Sequence, residues 1–141
     1  MVARSFEPGD AFLEDPRETI LVVDDEPAMR HVMIRTLTHA GYSVLEASSG
    51  AEALALTRSF PSAIHLAIID QTLGDSNGVA VAGQILESRH GIRVLLISGY
   101  LVDEDTFQGF PCLHKPFTIR VLREKIRQLL APSNQSRWAG D

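Results

Sequence analysis

Five short apolar runs constrain this chain more than any other feature, because four of them deliver a chemically useful side chain at their end. TILVV (Thr19 to Val23) runs into Asp24, Asp25 and Glu26, and AIHLAIID (Ala63 to Asp70) ends on an acid. RVLLIS (Arg93 to Ser98) ends on a hydroxyl, and the brief CLH (Cys112 to His114) leads into Lys115. YSVLEA (Tyr42 to Ala47) is the remaining run. Short, nearly continuous apolar segments rich in β-branched residues are what strands covered on both faces require. Between them the spacing changes to threes and fours. Met29, Val32, Met33, Leu37 and Ala40 follow Pro27, and Gly41 ends that helix. Ala53, Leu54 and Leu56 follow Ser49-Gly50, and Pro61 closes the segment. Val79, Ala82, Ile85 and Leu86 form the inward stripe of a helix over Val79 to Arg89. Ile119, Leu122, Ile126, Leu129 and Leu130 line one side of TIRVLREKIRQLL.

Strands alternating with helices predict an α/β fold around a parallel sheet. Crossovers in such sheets are right-handed, and the active crevice lies at the carboxyl ends of the strands. Asp24, Asp25, Asp70, Ser98 and Lys115 are thereby gathered at one rim. At 141 residues the chain is about one domain long. The domain is expected over residues 19–130, with a flexible extension over 1–18 and a tail over 131–141. Phe12 and Leu13 are candidates to rest on the domain, and Trp138 is either an exposed singleton or an anchor. The 45% hydrophobic content and net charge of -5 fit a soluble protein without the basic footprint of nucleic-acid binding. Cys112 is the only cysteine, so no internal disulfide forms. No stretch approaches the length of a membrane span, and the first residues lack the apolar core of a signal peptide, so a cytoplasmic protein is expected.

Asp24, Asp25 and Asp70 form an oxygen-rich negative cluster of the kind a hard divalent cation such as Mg2+ favours. Lys115 adds a positive charge on a long stem, and Ser98 adds a hydroxyl donor. Phosphoryl transfer uses this inventory, and a carboxylate can itself take the phosphoryl group. Composition and spacing do not choose which carboxylate is the acceptor. Each residue alone has an ordinary explanation. Loop acids are common, Asp70 could cap its own turn, Ser98-Gly99 could be a turn, and Lys115 could be a solvent-facing charge. The coincidence of all four strand ends carries the weight. Met29 and Met33 are read as core, and Arg120, Arg123, Lys125 and Arg127 as the solvated face of the last helix.

The same residues carry a resemblance. LVVDDE before a helix, IID with Gly78 eight residues after Asp70, LLISGY and HKPF match, in order, the receiver domain of two-component response regulators. The resemblance spans about residues 19 to 130. It implies a three-layer, flavodoxin-like (CheY-like), doubly wound sheet of five parallel strands in the order 2-1-3-4-5. By similarity Asp70 is the phosphoacceptor, and Asp25 binds Mg2+ directly, with Mn2+ as the alternative. Asp24 holds the metal through water or hydrogen bonds, and the Thr72 carbonyl completes the protein ligands. Ser98 hydrogen-bonds the phosphoryl group, Lys115 pairs with its oxygens, and Pro116 follows through what is often a cis bond. The implied donor is a histidine kinase or a histidine phosphotransfer protein, and the output is a downstream protein target or onward phosphotransfer. Neither nucleic acid nor membrane is an expected partner, and the chain is expected to be a monomer or weak homodimer.

The sequence also departs from the family. Gly74 stands where proline is usual, which predicts a looser loop. Cys112 replaces the aromatic that usually lies three residues before the lysine. Only sixteen residues separate Ser98 from Lys115, so the fourth crossover helix is expected to be short or missing. The readout then falls to the segment Tyr100 to Gly109, with Phe107 or Phe110 moving. Eleven residues follow Leu130, too few for an effector, so a stand-alone receiver is expected unless the chain is part of a longer protein. Two other functions compete. One is a phosphorylation-independent binding module on the same fold. The other is a hydrolase with an aspartyl-phosphate intermediate, which usually carries a second Asp where this chain has Thr72. Self-phosphorylation and slow autodephosphorylation are expected, without turnover of external substrates. Glu26 is read as favourable charge at the start of the next helix.

Overall fold

The computed structural model describes residues 17–99 and 107–131. Phe12, Leu13 and Trp138 lie outside them. So do most of the two expected terminal segments, and so does the stretch 100–106, on which the reading of a short fourth crossover helix rests.

The strands are β1 (Thr19–Val23), β2 (Ser43–Ala47), β3 (Leu66–Asp70), β4 (Arg93–Ser98) and β5 (Cys112–His114). The helices are α1 (Pro27–His39), α2 (Gly50–Ser59), α3 (Gly78–Ser88) and α4 (Ile119–Leu130), the last of which follows β5. All pairings are parallel and the order is β2-β1-β3-β4-β5, as the resemblance implied.

Side chains alternate across each strand, and both sets are buried because helices cover both faces. Ile20, Val22, Leu66, Ile68, Leu95 and Ile97 point to one face, where Met33 and Leu37 of α1 meet Leu122 and Ile126 of α4. Leu21, Val23, Ala67, Ile69, Val94 and Leu96 point to the other, against Ala53 of α2 and Val81, Ala82 and Ile85 of α3. The sheet thus separates two cores.

Helix ends follow their local chemistry. Ser49, Asn77 and Thr118 each accept a backbone N–H from the first turn of the helix they precede, the usual N-cap arrangement. Gly41 has φ 102°, the left-handed backbone a helix-ending glycine supplies. At the far end of α2, Arg89 donates to the carbonyls of Thr57 (2.7 Å), Ser62 (2.7 Å) and Phe60. Its guanidinium therefore satisfies acceptors that the helix leaves open.

Several expectations are corrected. β3 begins at Leu66 rather than Ala63. Val32 is 51% exposed and Ile119 is 52% exposed, so the inward stripes of α1 and α4 are narrower than the periodicity predicts. Val81, absent from the predicted stripe of α3, is fully buried. The reason is Gly50, where an added Cβ would lie 2.8 Å from Val81 Cγ2, so a glycine in α2 makes room for α3.

Candidate functional site

The carboxyl ends of β1, β3, β4 and β5 surround an open cleft of about 500 Å3, lined by Asp24, Asp25, Glu26, Asp70, Thr72, Gly99 and Lys115. Asp70 is the last residue of β3 and almost fully buried, while Asp24 directly follows β1 and has no exposed surface. Asp25 is exposed. Asp70 is therefore rooted in its strand, Asp24 is buried at the end of β1, and Asp25 stands free at the mouth.

Both oxygens of Asp70 are engaged. Oδ1 accepts the Thr72 N–H at 2.9 Å, and Oδ2 accepts Lys115 Nζ at 2.9 Å. The Lys115 N–H donates to the Ser98 carbonyl at 2.7 Å, which continues the β4–β5 ladder and brings the side chain to the rim; the Lys115–Pro116 peptide is cis. Burial alone would pull the Lys115 ammonium down. The hydrogen bond and charge of Asp70, with the charges of Asp24 and Glu26, outweigh it and hold the ammonium above its ordinary value. Ser98 is buried at the end of β4, in register with His114.

Asp24 is pinned differently. Its Oδ1 accepts the Glu26 N–H at 2.8 Å, whereas its Oδ2 is buried without a hydrogen-bond partner among the described residues. Burial raises the pKa of this carboxyl, the Glu26 N–H opposes the rise, and the charge of Asp70 adds to it. A buried, partnerless carboxylate oxygen is costly and calls for a compensating group. A hard cation suits the donor set, since the cleft offers carboxylate oxygens and backbone next to Asp70. Among the described residues, no three His, Cys, Asp or Glu side chains are arranged to hold a metal by themselves. A cation here must therefore draw on backbone carbonyl and water as well, which is the habit of Mg2+.

The loop after Asp70 is more firmly held than Gly74 predicts. Leu73 N–H reaches the Ser76 carbonyl (3.2 Å), Gly78 N–H reaches the Gln71 carbonyl (3.0 Å), and Val79 N–H reaches Gln71 Oε1 (3.0 Å). A Cβ on Gly78 would lie 2.9 Å from the Asp70 carbonyl, so the close return of α3 to the end of β3 needs glycine there. Asp75 then clasps the start of α2, taking the N–H groups of Gly50 (3.0 Å) and Ala51 (3.1 Å), and these bonds lower its pKa.

Glu26 is the N-cap residue of α1 rather than part of its first turn, and its side chain makes no capping bond. It lines the cleft, and its charge is one of those that favour the Lys115 ammonium. Sequence reasoning also missed Asp75 and Arg30. Arg30 Nη1 donates to the Asp24 carbonyl at 2.7 Å. Neither residue carries a spacing signal, since each acts through backbone groups brought near by the fold.

A 2-1-3-4-5 parallel sheet with a buried carboxylate paired to lysine across an acid-lined cleft defines a receiver-type fold. The chain matches the family of the response regulator receiver domain over residues 20–127, and it belongs to that family. It is 29% identical over 119 residues to the sensor kinase CckA of Brucella abortus (strain 2308), covering 79% of this chain and 12% of that kinase. A receiver domain protein (CheY-like) from Methanospirillum hungatei JF-1 has a TM-score of 0.77 at 28% identity, covering 85% of this chain and 98% of the other. The response regulator TrrA of Thermotoga maritima, solved in complex with Mg2+–BeF, gives a TM-score of 0.69 at 31% identity, covering 80% and 99%. The chain spans about half the length, or less, of the curated relatives it matches. Membership of this family makes the chain a phosphoacceptor signalling module.

Proposed function

We propose that Asp70 is the acceptor and that it takes its phosphoryl group from a phosphohistidine on a kinase or histidine phosphotransfer protein. The single observation that carries this reading is the Asp70–Lys115 contact of 2.9 Å beside the partnerless Asp24 Oδ2. One carboxylate oxygen of Asp70 forms the new P–O bond. The P–N bond of the donor breaks with its electron pair going to the ring nitrogen, and the donor ring carries the proton that lets imidazole leave neutral. Lys115, freed from Asp70 Oδ2, turns to a phosphoryl oxygen, and the Ser98 hydroxyl donates to another. Asp24, Asp25, Asp70 and the Thr72 carbonyl would hold Mg2+ or Mn2+, which when bound supplies positive charge against the phosphoryl oxygens. The modified Asp70 favours one of two conformations, and a protein partner reads the difference.

Incubation with MgCl2 and acetyl phosphate, followed by intact mass, tests the assignment. Wild type gains one phosphoryl group and Asp70→Ala gains none; equal labelling of both would overturn it. The competing reading, a phosphorylation-independent binding module, draws on Cys112, which is half-buried in β5 where the family's aromatic would stand. Equal partner affinity with and without the phosphoryl group would favour that reading.

A further inference from the structure

We infer that Arg30 is a positioning residue for the cation site, and that Glu46 of β2 positions Arg30. The inference rests on the Mg2+ reading of the cleft.

Asp24 has four polar groups, and three of them are tied to the protein. Its N–H donates to the Ala47 carbonyl at 3.1 Å, its Oδ1 accepts from Glu26 N–H at 2.8 Å, and its carbonyl accepts from Arg30 Nη1 at 2.7 Å. Only Oδ2 is left, buried on the cleft. The carbonyl that Arg30 holds belongs to the peptide joining Asp24 to Asp25. Fixing that peptide fixes the Asp25 Cα, and with it the direction in which the exposed Asp25 carboxylate stands. Two residues of the acid loop are thus oriented through one oxygen.

The charge of Arg30 is not spent on the acids of the cleft. Its Nε donates to Glu46 Oε1 at 3.1 Å, and its side chain is 17% exposed against 46% for Glu46. A cation that paired directly with Asp24 or Asp25 would compete with a metal. One that pairs with Glu46 and grips a neutral carbonyl does not. Glu46 also supplies the counter-charge that keeps the guanidinium on the β2 side of the loop. Such supporting contacts typically alter metal affinity by about 10–100-fold when removed.

Isothermal titration of the full chain with MgCl2 tests this. Arg30→Met should weaken Mg2+ binding about 10-fold or more. Arg30→Lys, which keeps one donor for the Asp24 carbonyl, should recover part of the loss, and Glu46→Gln should fall between Lys and wild type. At saturating Mg2+, the rate of labelling by acetyl phosphate should return close to wild type in all three, because Arg30 touches no reacting atom. Melting temperature in Mg2+-free buffer separates a general loss of stability. Arg30→Met, or Arg30→Lys if the methionine variant does not fold, binding Mg2+ within twofold of wild type would overturn the inference. Wild type that binds no Mg2+ would overturn the reading of the cleft instead.

Discussion

The two halves of the rim are built in opposite ways. On the side of β1 and β3, nearly every polar group near the acids is tied down. Glu26 N–H and Arg30 hold Asp24, Thr72 N–H holds Asp70, and Gln71, Ser76 and Asp75 lace the loop that follows. On the side of β4 and β5, the strand that carries Lys115 is only three residues long, pairs on one edge with Leu96–Ser98, and is half-buried or exposed throughout. Among the described residues its aromatic support is one edge contact, with the Phe107 and His114 rings 6.1 Å apart at 62°. The difference teaches how each kind of side chain is held. Carboxylates that must present charge at fixed points are preorganised by backbone bonds. On the lysine side, among the described residues, β5 pairs with β4 and leans on the buried Phe107.

That division can be broken by experiment, and the largest effect is expected at Phe107. It is 3% exposed within the α2–α3 core, so Phe107→Ala should cost about 3–5 kcal/mol in chemical denaturation. Mg2+ affinity should stay within twofold, since Phe107 does not line the cleft. A large change in affinity would erase the distinction between the halves. Next comes Lys115→Ala, which removes the donor to Asp70 and should slow labelling by acetyl phosphate about 10²–10³-fold, read by timed intact mass.

Asp24→Asn should act in the opposite direction on stability. It removes a fully buried charge with a partnerless oxygen, so the Mg2+-free protein should gain about 1–3 kcal/mol. Mg2+ at about 100 times its Kd should return about 2.7 kcal/mol to wild type and little to the variant. Melting curves with and without Mg2+ check both. The smallest effect is expected at Asp75. Its pKa is lowered by the Gly50 and Ala51 N–H groups, so its contribution is present above the ordinary value of 3.8 and is lost as pH falls through the lowered one. Asp75→Ala should therefore destabilise at neutral pH and flatten the acid limb of a melting-temperature profile. An unchanged acid limb would show that the clasp on α2 is idle.

The contrast also explains what was legible in the sequence. The acid side was readable because strands covered on both faces need continuous apolar runs, and the acids stand where those runs stop. Thr19–Val23 could be delimited to the residue. β3 was read too long because Ala63, Ile64 and His65 continue the apolar pattern outside the strand. There His65 Nδ1 accepts the Thr19 N–H at 2.9 Å, a side-chain bond that hydropathy cannot show. Gly74 suggested looseness because glycine frees a backbone, yet the carboxylate of Asp75 beside it restores the anchor from another element. Arg30 and Arg89 look like ordinary solvated charges on their helices. Both hold main-chain carbonyls, Arg30 while also paired with Glu46, and nothing in a linear pattern announces an acceptor contributed by another segment.

One feature of the fold reaches beyond the rim. Among the described residues the sheet stands between two cores that share no side chain, so the layer of α1 and α4 and the layer of α2 and α3 meet mainly through the strands. Changes confined to opposite layers should combine additively in their effects on stability. A lineage could then rework one outer surface to suit a new partner without retuning the other, and the rim, seated on the strands common to both, would keep its geometry while the audience changes.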